Sequence, residues 1–177
     1  ITFGYNDGNA VQAVARTLQG TAVTPANITM SLADPYDFGT VAVGNNSAVT
    51  ITLTNGGGFG ASSLTETTLG GDFQFTGGGN TFPGTAGNCG ATLASGASCD
   101  IDVMFQPAGT GALKGTITIQ YDDGAATVTS TKDLDGTGSN PAVITISGAD
   151  PVDFGSITQG STTNLSFTLN NTGAVAA

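Results

Sequence analysis

Apolar and polar residues alternate through most of the middle of the chain. Val49, Ile51 and Leu53 are separated by Thr50 and Thr52, and Phe73 and Phe75 flank Gln74. Cys99, Ile101, Val103 and Phe105 alternate with Asp100, Asp102, Met104 and Gln106. Leu113, Ile117, Ile119 and Tyr121 share a parity with Gly115, opposite Lys114, Thr116, Thr118 and Gln120. A period of two with one apolar face predicts antiparallel strands packed on one side. Ile28, Met30 and Leu32 predict an opening strand, and Phe38, Val41 and Val43 follow it. A closing strand is predicted through Val128 towards Leu134. About seven short strands, punctuated by Gly, Asn and Pro, predict an all-β sandwich. Asp123-Gly124 between two strands predicts a tight hairpin, and Asp7-Gly8 repeats it. The glycine-rich stretch 76–87 predicts a long surface loop, held in part near Cys89.

The pattern also recurs. Residues 1–61 align without a gap on residues 117–177, at a constant offset of 116. Ala33-Asp34-Pro35-Tyr36-Asp37-Phe38-Gly39 lies over Ala149-Asp150-Pro151-Val152-Asp153-Phe154-Gly155. Roughly four in ten aligned positions are identical, which marks a tandem repeat. A period of 116 residues is the size of a domain and too long for a solenoid unit. The expected organisation is three pieces. Residues 1–24 carry the last strands of one repeat, 25–140 a complete one, and 141–177 the first strands of the next. The joints are short and end at Pro25 and Pro141, which predicts little slack between successive beads.

Composition narrows the function. Three cations stand against thirteen carboxylates, and there is no histidine. Three cations cannot neutralise a useful run of phosphates, so nucleic acid and anionic membrane surfaces are poor partners. No apolar run reaches the length of a bilayer-spanning helix. No secretory leader is legible, which a processed or truncated chain would have lost. A neutral, Thr-rich and mildly acidic surface suits a secreted β-protein.

Cys89 and Cys99 bracket a short turn-rich segment and lie outside the duplicated part. A metal site needs about four ligands, and a redox C-x-x-C motif is missing. The pair reads as a disulfide, with free buried thiols as the alternative. A disulfide points to an oxidising compartment.

These residues resemble a known family. Asp37-Phe38-Gly39-Thr40-Val41-Ala42-Val43-Gly44 and Val49-Thr50-Ile51-Thr52-Leu53-Thr54-Asn55 are similar to the opening of the ASPM/SPD-2/hydin-like immunoglobulin domains. Cys99-Asp100-Ile101-Asp102-Val103-Met104-Phe105-Gln106-Pro107 and the closing Leu134-Asp135-Gly136-Thr137-Gly138 extend the likeness over the unit. The bacterial form occurs in large surface proteins of the choice-of-anchor D type. The resemblance implies an immunoglobulin-like sandwich used as an extracellular spacer or fibre module. It brings no catalytic residues.

The candidate sites are weak. Asp133-Leu134-Asp135-Gly136-Thr137-Gly138-Ser139-Asn140 faintly resembles a calcium loop, read otherwise as a strand end and turn. Asp34 and Asp37 recur as Asp150 and Asp153, either as turn-makers or as calcium ligands near a joint. Asp100 and Asp102 share the outward face of one strand, with no sign of the cleft a glycosidase needs. Lys114 faces outward, which disfavours an isopeptide crosslink. No cofactor, no catalysis and no membrane insertion in this segment are expected. The expected function is a structural module of an extracellular bacterial fibre or long surface protein, setting length and stiffness. Its expected partners are neighbouring copies of the repeat, in one polypeptide or through strand donation between subunits. The alternative is an adhesin repeat, with Tyr36, Phe59 and Phe82 as aromatic candidates for binding a glycan or protein.

Overall fold

The computed structural model describes residues 1–67 and 69–177. The described residues form thirteen strands: β1 (Thr2–Asn6), β2 (Val11–Ala15), β3 (Ile28–Met30), β4 (Tyr36–Ala42), β5 (Ser47–Asn55), β6 (Ala61–Glu66), β7 (Phe73–Phe75), β8 (Thr92–Leu93), β9 (Ser98–Phe105), β10 (Gly111–Asp122), β11 (Thr127–Ser139), β12 (Ile144–Ile146) and β13 (Leu169–Asn171). Strands β3–β11 build a two-sheet sandwich. One sheet runs β4-β11-β10-β6-β8 and the other β3-β5-β9-β7. All pairs are antiparallel except β4 with β11. From β3 to β10 every connection crosses from one sheet to the other, so both inner faces are sewn together by the chain itself.

The core follows the alternation. Ile51 and Leu53 on β5, Ile101, Val103 and Phe105 on β9, and Ile117 and Ile119 on β10 are fully buried. Phe73 stacks on Phe105 with ring centroids 4.8 Å apart, and Phe38 leans on both at 5.8 Å. Glycines opposite make room for these rings. A Cβ on Gly136 would meet the Phe105 ring at 2.6 Å, and one on Gly115 would meet Phe73 at 2.7 Å. That explains why Gly115 shares the apolar parity of its strand.

The structure differs from the sequence expectation in four places. Leu32 leaves β3: it takes φ 70° and is exposed, because the chain turns there to change sheets. The hairpin at Asp123-Gly124 has a four-residue loop, since Asp122 pairs with Thr127. The described residues of 25–140 form nine strands instead of about seven, because β6 and β8 are added. The glycine-rich stretch is more firmly held than a surface loop tied at one cysteine. Asn80 accepts the Phe75 N–H at 2.8 Å and donates to the Leu69 carbonyl at 2.7 Å, and Phe82 packs edge-on to Phe75.

The flanking pieces are two-stranded sheets. Among the described residues β1 pairs only with β2, and β12 only with β13. They reproduce the local bonding of the complete unit at the offset of 116. Asp37 and Asp153 accept the N–H of Gly39 and Gly155 at 2.8 and 2.7 Å. Ser31 and Ser147 accept the N–H of Thr52 and Thr168, both at 2.8 Å. They do not reproduce its burial. Ile117, Ile119 and Leu134 are 0% exposed, whereas their counterparts Ile1, Phe3 and Leu18 are 60%, 61% and 76% exposed. Ile28 and Leu53 are likewise buried, whereas Ile144 and Leu169 are at 50% and 68%.

Candidate functional site

The two poles of the sandwich are where the chain enters and leaves it. The chain arrives beside the β10–β11 hairpin tip. There the Ala26 N–H donates to the Asp123 carbonyl at 3.0 Å and the Ile28 N–H donates to the Tyr121 hydroxyl at 3.1 Å. The chain leaves from the far end of β11, where the Ser139 carbonyl accepts the Val43 N–H at 2.9 Å. β11 starts one residue after the hairpin loop and runs straight to that end. Its thirteen residues span about 40 Å at about 3.3 Å each. Inlet and outlet therefore sit at opposite poles.

The inlet pole is fixed by short-range chemistry. Gly57 allows the arriving chain to pass against the end of β5, because a Cβ there would stand 2.1 Å from the Pro25 carbonyl oxygen. Gly173 repeats this against Pro141. Asn55, fully buried, joins the pieces. Its Oδ1 accepts from the N–H groups of Asn27 and Gly57, and its Nδ2 donates to the carbonyls of Phe59 and Leu93. The Asp123 carboxylate accepts the N–H groups of Ala126 and Ala125, and these bonds hold its pKa below the ordinary carboxylate value. Asp7 is lowered by the same contacts, from Ala10 and Asn9. Phe59 lies over Gly124 and is half exposed, beside Val23 and Pro25.

Cys89 and Cys99 form a disulfide with a Cα–Cα distance of 4.9 Å. It pins the segment before β8 to the start of β9, where the Asp100 carbonyl also accepts the N–H groups of Asn88 and Cys89. Reduction is expected to lower stability by about 2–3 kcal/mol for so short a loop. Urea titration with and without reductant measures it, and an unchanged midpoint would count against a structural bridge.

The four calcium candidates share the outer face around β4 and β11. Asp135 pairs in register with Asp37, and Asp34 accepts the Asp133 N–H at 2.9 Å. Asp133 accepts from the Thr116 hydroxyl, and Asp135 takes the Lys114 ammonium at 2.8 Å. That pairing raises the Lys114 pKa, chiefly through the hydrogen bond from its ammonium. The stretch from Asp133 to Ser139 is the end of β11, with no turn inside it. Two carboxylates two residues apart on a strand point the same way without wrapping an ion. Among the described residues no group of three or more acidic, His or Cys side chains is placed to hold a metal. Asp100 accepts from the Thr52 hydroxyl at 2.7 Å, and Asp102 from the Thr76 hydroxyl.

Lys132 escaped the sequence reading. It is 3% exposed, and its ammonium donates to the carbonyls of Leu32 and Ala33 at 3.1 and 2.8 Å. This bond fixes the turn that ends β3. The available signal was its parity with Leu134. Of the aromatic candidates, Tyr36 and Phe82 pack against the core and Phe59 stays half exposed.

The sequence profile of the HYDIN/CFA65/VesB-like, Ig-like domain matches residues 29–135. No curated protein matches the chain. Among solved structures, the Vibrio cholerae VesB protease aligns at TM-score 0.50 and 16% identity, over 62% of this chain and 31% of that one. The chain thus spans about a third of that protease. PapD-like domain 7 of human CEP192 aligns at TM-score 0.47 and 16% identity, over 72% and 94%. A Porphyromonas gingivalis W83 protein of unknown function aligns at 0.49 and 16%, over 72% and 57%.

Proposed function

The chain belongs to the HYDIN/CFA65/VesB-like family of Ig-like domains, and from that premise we propose that it is a structural module of an extracellular fibre or long repetitive surface protein. The bacterial choice-of-anchor D surface proteins are the form this reading favours. The observation that carries it is the placement of inlet and outlet at opposite poles. Sandwiches threaded this way and set end to end extend the chain, each adding about the length of β11, or about 40 Å. The disulfide suits an oxidising, extracellular setting. The proposed role is mechanical and not enzymatic: the carboxylates of Asp100 and Asp102 are occupied by threonine hydroxyls on an open face.

The half-exposed Phe59 is what an adhesin reading would rest on. A single ring beside the arriving chain is a smaller platform than a free glycan or an untethered protein ligand calls for, so the spacer reading is preferred. The test is an in-frame deletion of one 116-residue repeat from the full polypeptide. Micrographs should show the molecule shortened by about 40 Å. Unchanged length, or loss of adhesion at unchanged reach, would favour the adhesin.

A further inference from the structure

The exposed apolar patch at the inlet pole has no role within its own sandwich. Val23 is 53% exposed and Phe59 is 50% exposed, and Pro25 lies between them. A neighbour seated on this patch would bury both side chains. The linkage shows what can reach it. At the outlet pole the last residue of β11, Ser139, is held through its carbonyl by Val43. Its counterpart one repeat earlier is Val23. At the inlet pole the very next residue, Thr24, is already held, because its hydroxyl accepts the Gly58 N–H at 2.8 Å. Superposing the two joints leaves no residue between the anchor in one repeat and the anchor in the next. The following joint carries Asn140 and Ala174 in place of Thr24 and Gly58, and there the next fixed atom is the Val143 N–H, donated to Asn171 at 3.2 Å. Even that longer path, through Asn140, Pro141 and Ala142, spans only about 12 Å at about 3.5 Å per residue.

We propose that the inlet pole of the sandwich of residues 25–140 seats directly on the outlet pole of the repeat before it, with Phe59 and Val23 at the centre of the contact. The receiving surface corresponds to the shallow groove that Val43, Gly44, Gln74, Gln106, Pro107 and Ala108 line at the outlet of the complete unit. The occupant is a neighbouring copy in the same polypeptide, because the chain is too short to place anything else there. Val23 works on both sides: its main chain belongs to the outgoing strand, and its side chain packs beside Gly58 of the next sandwich. The joint is then a rigid contact, and stiffness is written into residues 23–25 and 59. This rests on the spacer reading.

The test uses the full tandem polypeptide and two variants, Phe59→Ser and an insertion of Gly-Ser-Gly between Val23 and Thr24. Phe59 is half exposed and outside the buried core, so its replacement should leave the repeat folded, as its far-ultraviolet circular dichroism checks, and the insertion alters no residue of the sandwich. Spin labels on adjacent repeats should report one narrow distance distribution in the parent, broadened at least two-fold in each variant. A parent distribution already as broad as the variants would overturn the rigid joint and leave an extended, flexible spacer. Labels showing repeats folded back side by side would overturn the spacer reading itself.

Discussion

Replacing Asn55 with alanine is expected to destabilise the complete repeat by about 3–5 kcal/mol, a large part of the stability of one domain. The side chain is fully buried, and four main-chain groups depend on it: the N–H groups of Asn27 and Gly57 and the carbonyls of Phe59 and Leu93. These belong to the arriving chain, the end of β5, the segment after it and β8 of the other sheet. Losing them together leaves several buried polar groups without partners, each costing about 1–3 kcal/mol. Asn171 provides a control within the same chain. It makes the equivalent bonds to Val143, Gly173 and Val175, but it is exposed. Asn171→Ala should shift the urea midpoint of the complete unit hardly at all. Equal shifts for the two variants, or an Asn55→Ala shift below about 1 kcal/mol, would show that Asn55 is not the hub described.

Amide exchange should divide the chain sharply. The amides of Ile28, Ile51 and Leu53 lie in the closed sandwich and open only with global unfolding. Those of Ile144, Phe167 and Leu169 occupy the same repeat positions on an uncovered two-stranded sheet or beside it. With about 5 kcal/mol of global stability, the first group should exchange about a thousand-fold or more slower than the second. Each exposed apolar side chain forgoes about 1.5–3 kcal/mol of burial. In a chain of consecutive whole repeats the second group should become as protected as the first. Strong protection of the two-stranded sheets in residues 1–177 alone would show that they complete themselves, and the account of partial units would fall.

Alternation made β5, β7, β9 and β10 legible, because each buries one face against the opposite sheet. The signal failed where something other than an apolar side chain fills the inner face. On β11 the inward positions are Lys132, Leu134, Gly136 and Gly138. A long amine reaches two carbonyls and a phenylalanine ring covers a glycine, so hydrophobicity alone does not mark the strand. On β6 the positive φ of Ser63 puts Ala61 and Leu64 on one face at a spacing of three, which breaks the period of two. Leu32 looked like the third apolar residue of β3, yet it takes a left-handed turn and offers its carbonyl to Lys132. The poles were harder still. The opposite placement of inlet and outlet depends on strand direction across two sheets, which alternation does not give. Phe59 is legible in the sequence as an aromatic, but its place beside Pro25 and Val23 is not.

The most direct measurement is small-angle scattering on chains holding two and three complete repeats. End-to-end sandwiches predict a maximum dimension that grows by about 40 Å with the added repeat, while the cross-section stays constant. A growth well below that, with a widening cross-section, would mean that the repeats pack beside one another and that the molecule is not a spacer.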